Sequence, residues 1–294
     1  MPKSSPFTRV CGRLAQMAAP ARADLHVHTT ASDGEYTPSQ VVALARLAGL
    51  RAVAITDHDT LAAVPEARAA AGSDIEFVPG VEISTAFASR EFHLLGYFVR
   101  TDHSELNAAL AGVCEARRGR FRDFVARLGD RGQALPADRV RLVEESTASL
   151  GRRHVAALLV ACGHARNRTE AFHRLLNPIA RTVRSKELVP IEEAIRLVHA
   201  ADGVASLAHP PADLRDEQFD ALHAAGLDAV EAVYAWGRNS PAARLREVAR
   251  RLGLAVSGGS DCHGFEPAHR RIGSHAITSA EFDALRDRTT CAAR

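Results

Sequence analysis

From residue 23 onward, short apolar runs alternate with amphipathic stretches. Runs at Ala23–His28, Arg51–Thr56, Ile75–Val81, Phe92–Val99, Val204–Ala208, Ala229–Val233 and Leu254–Ser257 have the length and apolar content expected of buried strands. Between and after them, helical periodicity is expected over Pro38–Ala48, Leu61–Ala71, Ile191–Ala201, Phe219–Ala225, Pro241–Leu252 and Glu281–Arg286. The first of these predicted helices carries its own punctuation. Thr37 stands as N-cap, Pro38 takes the first helical position and Gly49 follows the end. Strand–helix units repeated at this length predict an α/β fold on a parallel sheet.

Residues 104–188 break the rhythm. A long Arg-rich helix is expected over Glu105–Leu128, with shorter helical pieces at His154–Ala161 and Thr169–Leu176 and no convincing strand. The pattern therefore predicts one α/β body over 23–99 and 190–294, interrupted by a helical insertion over 100–189. Residues 1–22 are basic and Ala-rich, without an apolar run long enough for a signal peptide. They are expected to be a disordered leader, or to precede a true start at Met17.

Charge sharpens this division. The whole chain of 294 residues carries a formal charge of +2. Residues 100–190 hold +7 of it and the rest −5, so the insertion is either a solvated Arg-rich surface or a seat for an anionic partner. No run approaches the ~20 apolar residues of a membrane-spanning helix. Five widely spaced cysteines, with no C-x-x-C, indicate neither a disulfide framework nor a thiolate zinc site, and a cytoplasmic location is the simplest expectation. The near-neutral total and the low aromatic content, 5%, argue against a dedicated nucleic-acid coat protein.

The chemistry gathers at the strand ends. Asp24-Leu25-His26-Val27-His28 puts two imidazoles two residues apart, hence on one face, at the C-terminal end of the first predicted strand. That is the end at which parallel α/β barrels carry their active sites. Asp33 follows in the next loop. The second strand ends in Thr56-Asp57-His58-Asp59 and the third in Pro79-Gly80-Val81-Glu82. His93 opens the fourth, Val204–Ala208 runs into His209-Pro210, and Leu254–Ser257 runs into Gly258-Gly259-Ser260-Asp261-Cys262-His263. Nine imidazoles and carboxylates arriving at one end of the strands point to clustered transition-metal ligation.

Together, Asp24–Thr29, Thr56-Asp57-His58-Asp59-Thr60, Gly80-Val81-Glu82, His93, Ala208-His209-Pro210 and Gly258–Gly264 resemble the PHP (polymerase and histidinol phosphatase) family, over 23–99 and 190–277 and in family order. The resemblance implies a distorted seven-stranded, TIM-like β/α barrel with two or three divalent metals at its C-terminal mouth. It implies that His26, His28, Glu82 and Asp261 hold one metal. Glu82 then bridges to a second completed by His93, and Asp33, His58, His209 and His263 complete the second and third sites. Imidazole and carboxylate ligation without Cys suits Mn, Fe or Zn better than Mg.

The insertion is similar to that of PHP phosphoesterases acting on nucleoside phosphates, through Gly151-Arg152-Arg153-His154 and Phe172-His173-Arg174-Leu175-Leu176. The likeness makes the insertion a cap over the substrate site and makes Arg152 and His154 candidate phosphate contacts, joined by the basic residues Arg184 and Lys186. One departure is that 177–186 carries no glycine where the resemblance leads one to expect a Gly-rich loop. The expected activity is hydrolysis of nucleoside monophosphates or 3′,5′-bisphosphates by a hydroxide bridging the metals, with Asp261 or His209 relaying a proton. The alternatives are 5′–3′ trimming of short RNA, hydrolysis of a histidinol-phosphate-type ester, or a non-enzymatic metal-binding module. A small phosphorylated substrate is the expected partner, without a membrane or a stable protein partner. Tyr234 and Trp236 follow a predicted strand, where they either stack on a base or pack the rim, and Arg238 and Asn239 are within reach of a ligand on the same grounds. The other histidines, on predicted helices or outer loops, are assigned no role.

Overall fold

The structure is a computed structural model that describes residues 22–235, 241–265 and 268–291. Trp236, Arg238, Asn239 and the leader up to residue 21 lie outside the described residues. Arg22, expected in the leader, opens β1 (Arg22–Asp24). The remaining strands are β2 (Ala52–Ile55), β3 (Glu76–Phe87), β4 (Arg90–Tyr97), β5 (Val189–Pro190), β6 (Val204–Leu207), β7 (Ala229–Val233), β8 (Ala255–Gly258) and β9 (Ile277–Thr278). Seven of them run side by side in the order β8-β7-β6-β4-β3-β2-β1. The two-residue β9 pairs on β1 and the two-residue β5 on β3.

Main-chain hydrogen bonds then carry the sheet round on itself. Leu25 donates to the Gly258 carbonyl, Asp261 to that of His26 and His28 to that of Cys262. Gly259 is required at this seam, since a Cβ there would stand 2.3 Å from the His26 nitrogen. The result is an α/β barrel with helices outside.

The expected parallel sheet is corrected in one sector. β4 runs antiparallel to both β3 and β6. Ala88 and Ser89, both at positive φ, make the two-residue turn that folds β3 back into β4, a turn whose twist suits a hairpin. The strand expected to stop at Val81 therefore continues to Phe87, and Glu82 lies within it instead of at its end. Conversely, β1 stops at Asp24, and the stretch carrying His26 and His28 continues with only an isolated bridge at Val27.

Helices form where local signals place them. Pro38–Leu47 begins with a reciprocal capping box, Gln40 donating to the Thr37 hydroxyl while its side chain accepts from Thr37. Ser104–Gly129 is capped by His103, whose Nδ1 accepts from Leu106. A further helix, Ala137–Ser146, went unpredicted. None of its side chains is fully buried. Among the described residues, no helix is long and apolar enough to cross a membrane.

Two packing regions matter for the site. Ala23, Ala52, Ala54, Val78, Leu95, Tyr97 and Ala229 share one buried cluster. Keeping the same period of two along their strands brings His58, Glu82, His93 and Glu231 to the same side. The insertion has a separate cluster of its own, which includes Phe121, Phe124, Leu150, Val155, Leu159 and Leu176. The Ser104–Gly129 helix joins the two, since its first turns, through Leu106 and Leu110, pack with the barrel.

Candidate metal centre

Glu82 is the hub of the barrel mouth. One carboxylate oxygen, Oε2, lies 3.4 Å from His26 Nε2, 3.2 Å from His28 Nε2 and 2.9 Å from His58 Nδ1. The other, Oε1, lies 2.7 Å from His93 Nδ1 and 3.0 Å from His209 Nε2. Asp261 approaches from the opposite side, its Oδ1 3.3 Å from His28 Nε2, 3.4 Å from His263 Nδ1 and 3.6 Å from His26 Nε2. Asp33 Oδ1 lies 3.2 Å from His263 Nε2 and 3.9 Å from His58 Nε2. All nine candidate ligands therefore converge.

Three groups are compact enough for an ion each: His26, His28 and Glu82; His58, Glu82 and His93; and His28, Asp33, His58 and His263. Glu82 belongs to two of them. Asp261 and His209 stand beside these groups and not within them. The donor set fits divalent metal binding on independent grounds. His26 Nε2, both nitrogens of His28, Asp33 Oδ1, His58 Nδ1 and Glu82 Oε2 are buried without hydrogen bonds. Burying polar atoms in that state is costly unless something else satisfies them, and an ion does.

Surrounding groups hold the cluster in place. Glu231 Oε1 lies 3.0 Å from His26 Nδ1, which aims Nε2 at the mouth, and Glu231 Oε2 accepts from the His209 main chain at 2.6 Å. Asp57 accepts from the Thr29 main chain and from the Thr29 and Ser32 hydroxyls. Asp24 takes the main-chain N–H groups of Ser260 and Gly273. Asp59, His209 and Asp261 all adopt positive φ. Such backbone persists only where neighbours over-determine it, as these hydrogen bonds do for His209, and it concentrates at functional sites.

The electrostatics follow from burial among opposite charges. Burial alone would raise the Glu82 carboxyl, but His58, His93 and His26 hold it well below the usual range. Burial is likewise the largest influence on Asp261 and is outweighed by His26, His28 and His263, so its pKa is lowered. For His28, burial pushes downward most strongly, yet Asp261 and Glu82 together carry it up to about 9. His58 goes the other way, down to about 4, because burial outweighs Glu82 and Asp33.

The mouth opens into a cavity of about 370 Å³, floored by the cluster and walled by the insertion. Arg117, Arg120, Phe121 and Phe124 line it from one face of the Ser104–Gly129 helix, and Arg152, Phe172 and Lys186 close it further out. Arg120 lies over Phe124 and Arg152 over Phe172, at 5.2 and 5.6 Å from the ring centroids. Arg117 is fixed by the buried Asp59 carboxylate at 2.6 Å and by the Ser84 hydroxyl at 2.9 Å. Burial, then the charge of Arg152, lowers the pKa of Arg120. Two guanidiniums thus converge here, and Arg152 makes no ion pair among the described residues.

The four expected substrate contacts separate in space. Arg152 and Lys186 line the cavity, Lys186 paired with Glu91. Arg184 does not line it. Its guanidinium grips Asp123 through two nitrogens at 2.8 and 3.0 Å, beside Gly119. His154 also stands outside that cavity, accepting from Gly151 at Nδ1 and bonding the Ser32 carbonyl through Nε2 at 2.8 Å. Burial lowers its pKa, so the neutral ring is favoured. Tyr234 packs the rim, with its hydroxyl donating to the Pro210 carbonyl.

The sequence reading missed Glu231, Arg117, Arg120 and Arg270, which pairs with Asp261. A lone carboxylate inside the apolar Ala229–Val233 run was the available signal for Glu231. Residues 117, 120, 121 and 124 share one helical face, which was the signal for the two arginines.

The family model described as PHP domain matches residues 24–219. The chain is 34% identical over 248 residues to the 5′-3′ exoribonuclease Rnm of Salmonella typhimurium, covering 82% of this chain and 84% of that one. It is 30% identical over 259 residues to the 3′,5′-nucleoside bisphosphate phosphatase of Chromobacterium violaceum, covering 86% and 91%. A solved structure from Bifidobacterium adolescentis, given as a metal-dependent phosphoesterase, superposes with a TM-score of 0.83 at 31% identity, over 92% of this chain and 98% of its own.

Proposed function

Since this chain belongs to the PHP domain family and is a metal-dependent phosphoesterase, we propose that it removes phosphate from nucleotides, as nucleoside monophosphates or 3′,5′-bisphosphates. His26, His28, Asp33, His58, Glu82, His93, His209, Asp261 and His263 are the ligands and near neighbours of two or three Mn, Fe or Zn ions. Bound divalent ions would supply water acidic enough to attack phosphorus at neutral pH. The chain's own residues do the rest. Glu231 fixes the ring of His26, and the barrel-mouth carboxylates stay ionised among the imidazoles. His209 and Asp261 line the cavity beside the cluster, where either would take up the proton released by the attacking water and relay it to the leaving oxygen. Arg117, Arg120, Arg152 and Lys186 orient the phosphate groups, and Phe172 offers an apolar face to the nucleoside.

The observation that carries this reading is the pair Arg120 and Arg152. Two like charges facing one cavity, each over an aromatic ring, suit an anion attached to a flat ring. The name of the bisphosphate phosphatase relative supports the same substrate class. A second reading, 5′-to-3′ trimming of short RNA, is favoured by the exoribonuclease relative and by the +7 insertion. Against a histidinol-phosphate-type ester stand the +7 insertion and the name of the bisphosphate phosphatase relative.

Manganese-loaded protein assayed against mononucleotides, 3′,5′-bisphosphates, 5′-phosphorylated oligoribonucleotides and histidinol phosphate tests the proposal. The expected result is the highest kcat/KM on a nucleotide. Stepwise release of nucleotides from the RNA at higher efficiency puts the second reading first. Preference for histidinol phosphate overturns both.

A further inference from the structure

The loop over 29–36 is pinned from two sides. On the barrel side, Asp57 takes the Thr29 main-chain N–H at 2.7 Å and the Ser32 hydroxyl at 2.5 Å. On the insertion side, the Ser149 N–H donates to the Ala31 carbonyl at 3.0 Å. His154 Nε2 lies 2.8 Å from the Ser32 carbonyl. The tautomer of His154 follows from its partners. The Gly151 main-chain N–H, 2.9 Å away, can only donate, so Nδ1 is bare and the ring proton sits on Nε2. Next along, Arg153 Nε reaches the Asp33 carbonyl at 3.4 Å and Asp33 Oδ2 at 3.5 Å. That leaves Asp33 Oδ1 buried, without a hydrogen bond and facing His58 and His263.

We propose that His154 and Arg153 are positioning residues for Asp33, so that the insertion sets how tightly the group of His28, Asp33, His58 and His263 holds its ion. The proposal rests on the reading that this group is a metal site. Its physical basis is that a ligand's affinity depends on the groups that orient it. Removing such a partner typically weakens a metal site tenfold to a hundredfold. The loop carrying Asp33 has no strand or helix of its own to fix it. Its geometry comes from Asp57 on one side and from Ser149, Arg153 and His154 on the other. The neutral His154, with both nitrogens engaged, suits a brace, whereas a phosphate seat calls for a free or charged donor.

The test is titration of metal-stripped full-length protein with Mn2+, reading free manganese by electron paramagnetic resonance. Asp33→Asn is expected to bind one ion fewer than wild type. His154→Ala and Arg153→Ala are expected to weaken that same ion about tenfold to a hundredfold and to leave the other ions unchanged. His154→Gln, whose amide still donates to the Ser32 carbonyl, is expected to recover most of the affinity. Thermal melting of each metal-free variant separates loss of fold from loss of positioning, and Arg153→Ala decides the matter should His154→Ala not fold. Unchanged affinity in folded His154→Ala and Arg153→Ala, with Asp33→Asn one ion short, overturns the positioning role and leaves the metal site standing. Equal weakening of every ion also overturns it, marking the insertion as a general brace. Wild-type protein that binds no ion, or Asp33→Asn with a full complement, overturns the metal reading and the inference with it.

Discussion

At the barrel mouth, His26 is held between Glu231 and Glu82 and is wholly buried. Across the same cavity, Arg152 of the insertion lies over the face of Phe172 and makes no ion pair among the described residues. The mouth is a pre-set scaffold in which carboxylates orient imidazoles and main-chain N–H groups orient carboxylates. The wall facing it keeps some cations in reserve. Fixed geometry is what chemistry at a reacting centre needs, and unspent donors are what recognition of an incoming anion needs. The two regions should therefore fail differently when altered.

The sharpest break in that comparison comes from the mouth. His28→Ala and Asp261→Asn are each expected to abolish turnover on every phosphoester, nucleotide or not, while far-UV circular dichroism stays as in wild type. Near-wild-type turnover of either variant at saturating metal would remove that residue from the centre. An intermediate effect is expected from the wall. A charge-assisted hydrogen bond to a ligand is worth ~1.5–3 kcal/mol, so Arg152→Ala should lower kcat/KM on nucleotides roughly tenfold to a hundredfold. A small activated aryl phosphate, which reaches only the cluster, should be turned over almost as before. Equal losses on both substrates would place Arg152 at the chemical step, and no loss would return it to the solvated surface. The smallest effect is expected at Arg184, whose partner is Asp123 and which is not among the residues lining the cavity. Arg184→Ala should change kcat/KM on nucleotides by less than about twofold, as for an exposed ion pair. A tenfold loss would bring it back among the substrate contacts.

The same contrast explains what could be read from the sequence. Candidate ligands stand out because a His or Glu at the end of an apolar strand has few other reasons to be there. All nine positions converge, although the strand expected to end before Glu82 runs on through a hairpin. The period of two that fills the barrel with Ala52, Ala54 and Val78 also aims His58 and Glu82, so reading the strands also brings the candidate ligands to one side. Recognition residues are harder to read because the insertion holds many arginines, and the sequence does not say which are satisfied by neighbours. Arg152 and Arg184 look alike in the sequence. Only the fold gives Arg184 its Asp123 and leaves Arg152 over a ring. That His154 lies outside this cavity is hidden for a related reason. Its partner is a main-chain carbonyl, that of Ser32, which no side-chain pattern announces. Glu231 was missed because what marks it is its contact with His26, 205 residues away in the sequence.

The seam that closes the barrel joins the beginning of the described chain to its far end, with Leu25 bonded to Gly258 and Val27 bridged to Cys262. During synthesis, His26 and His28 leave the ribosome more than two hundred residues ahead of Asp261 and His263. The first strand must wait without its closing neighbour, and the first two imidazoles without their full set of carboxylates. Contacts that span so much of a chain form late and slowly. The insertion, whose apolar cluster lies within residues 121–183, has all of its own partners long before that. In the order of biogenesis, the insertion's own core can be assembled before the barrel beside it is closed.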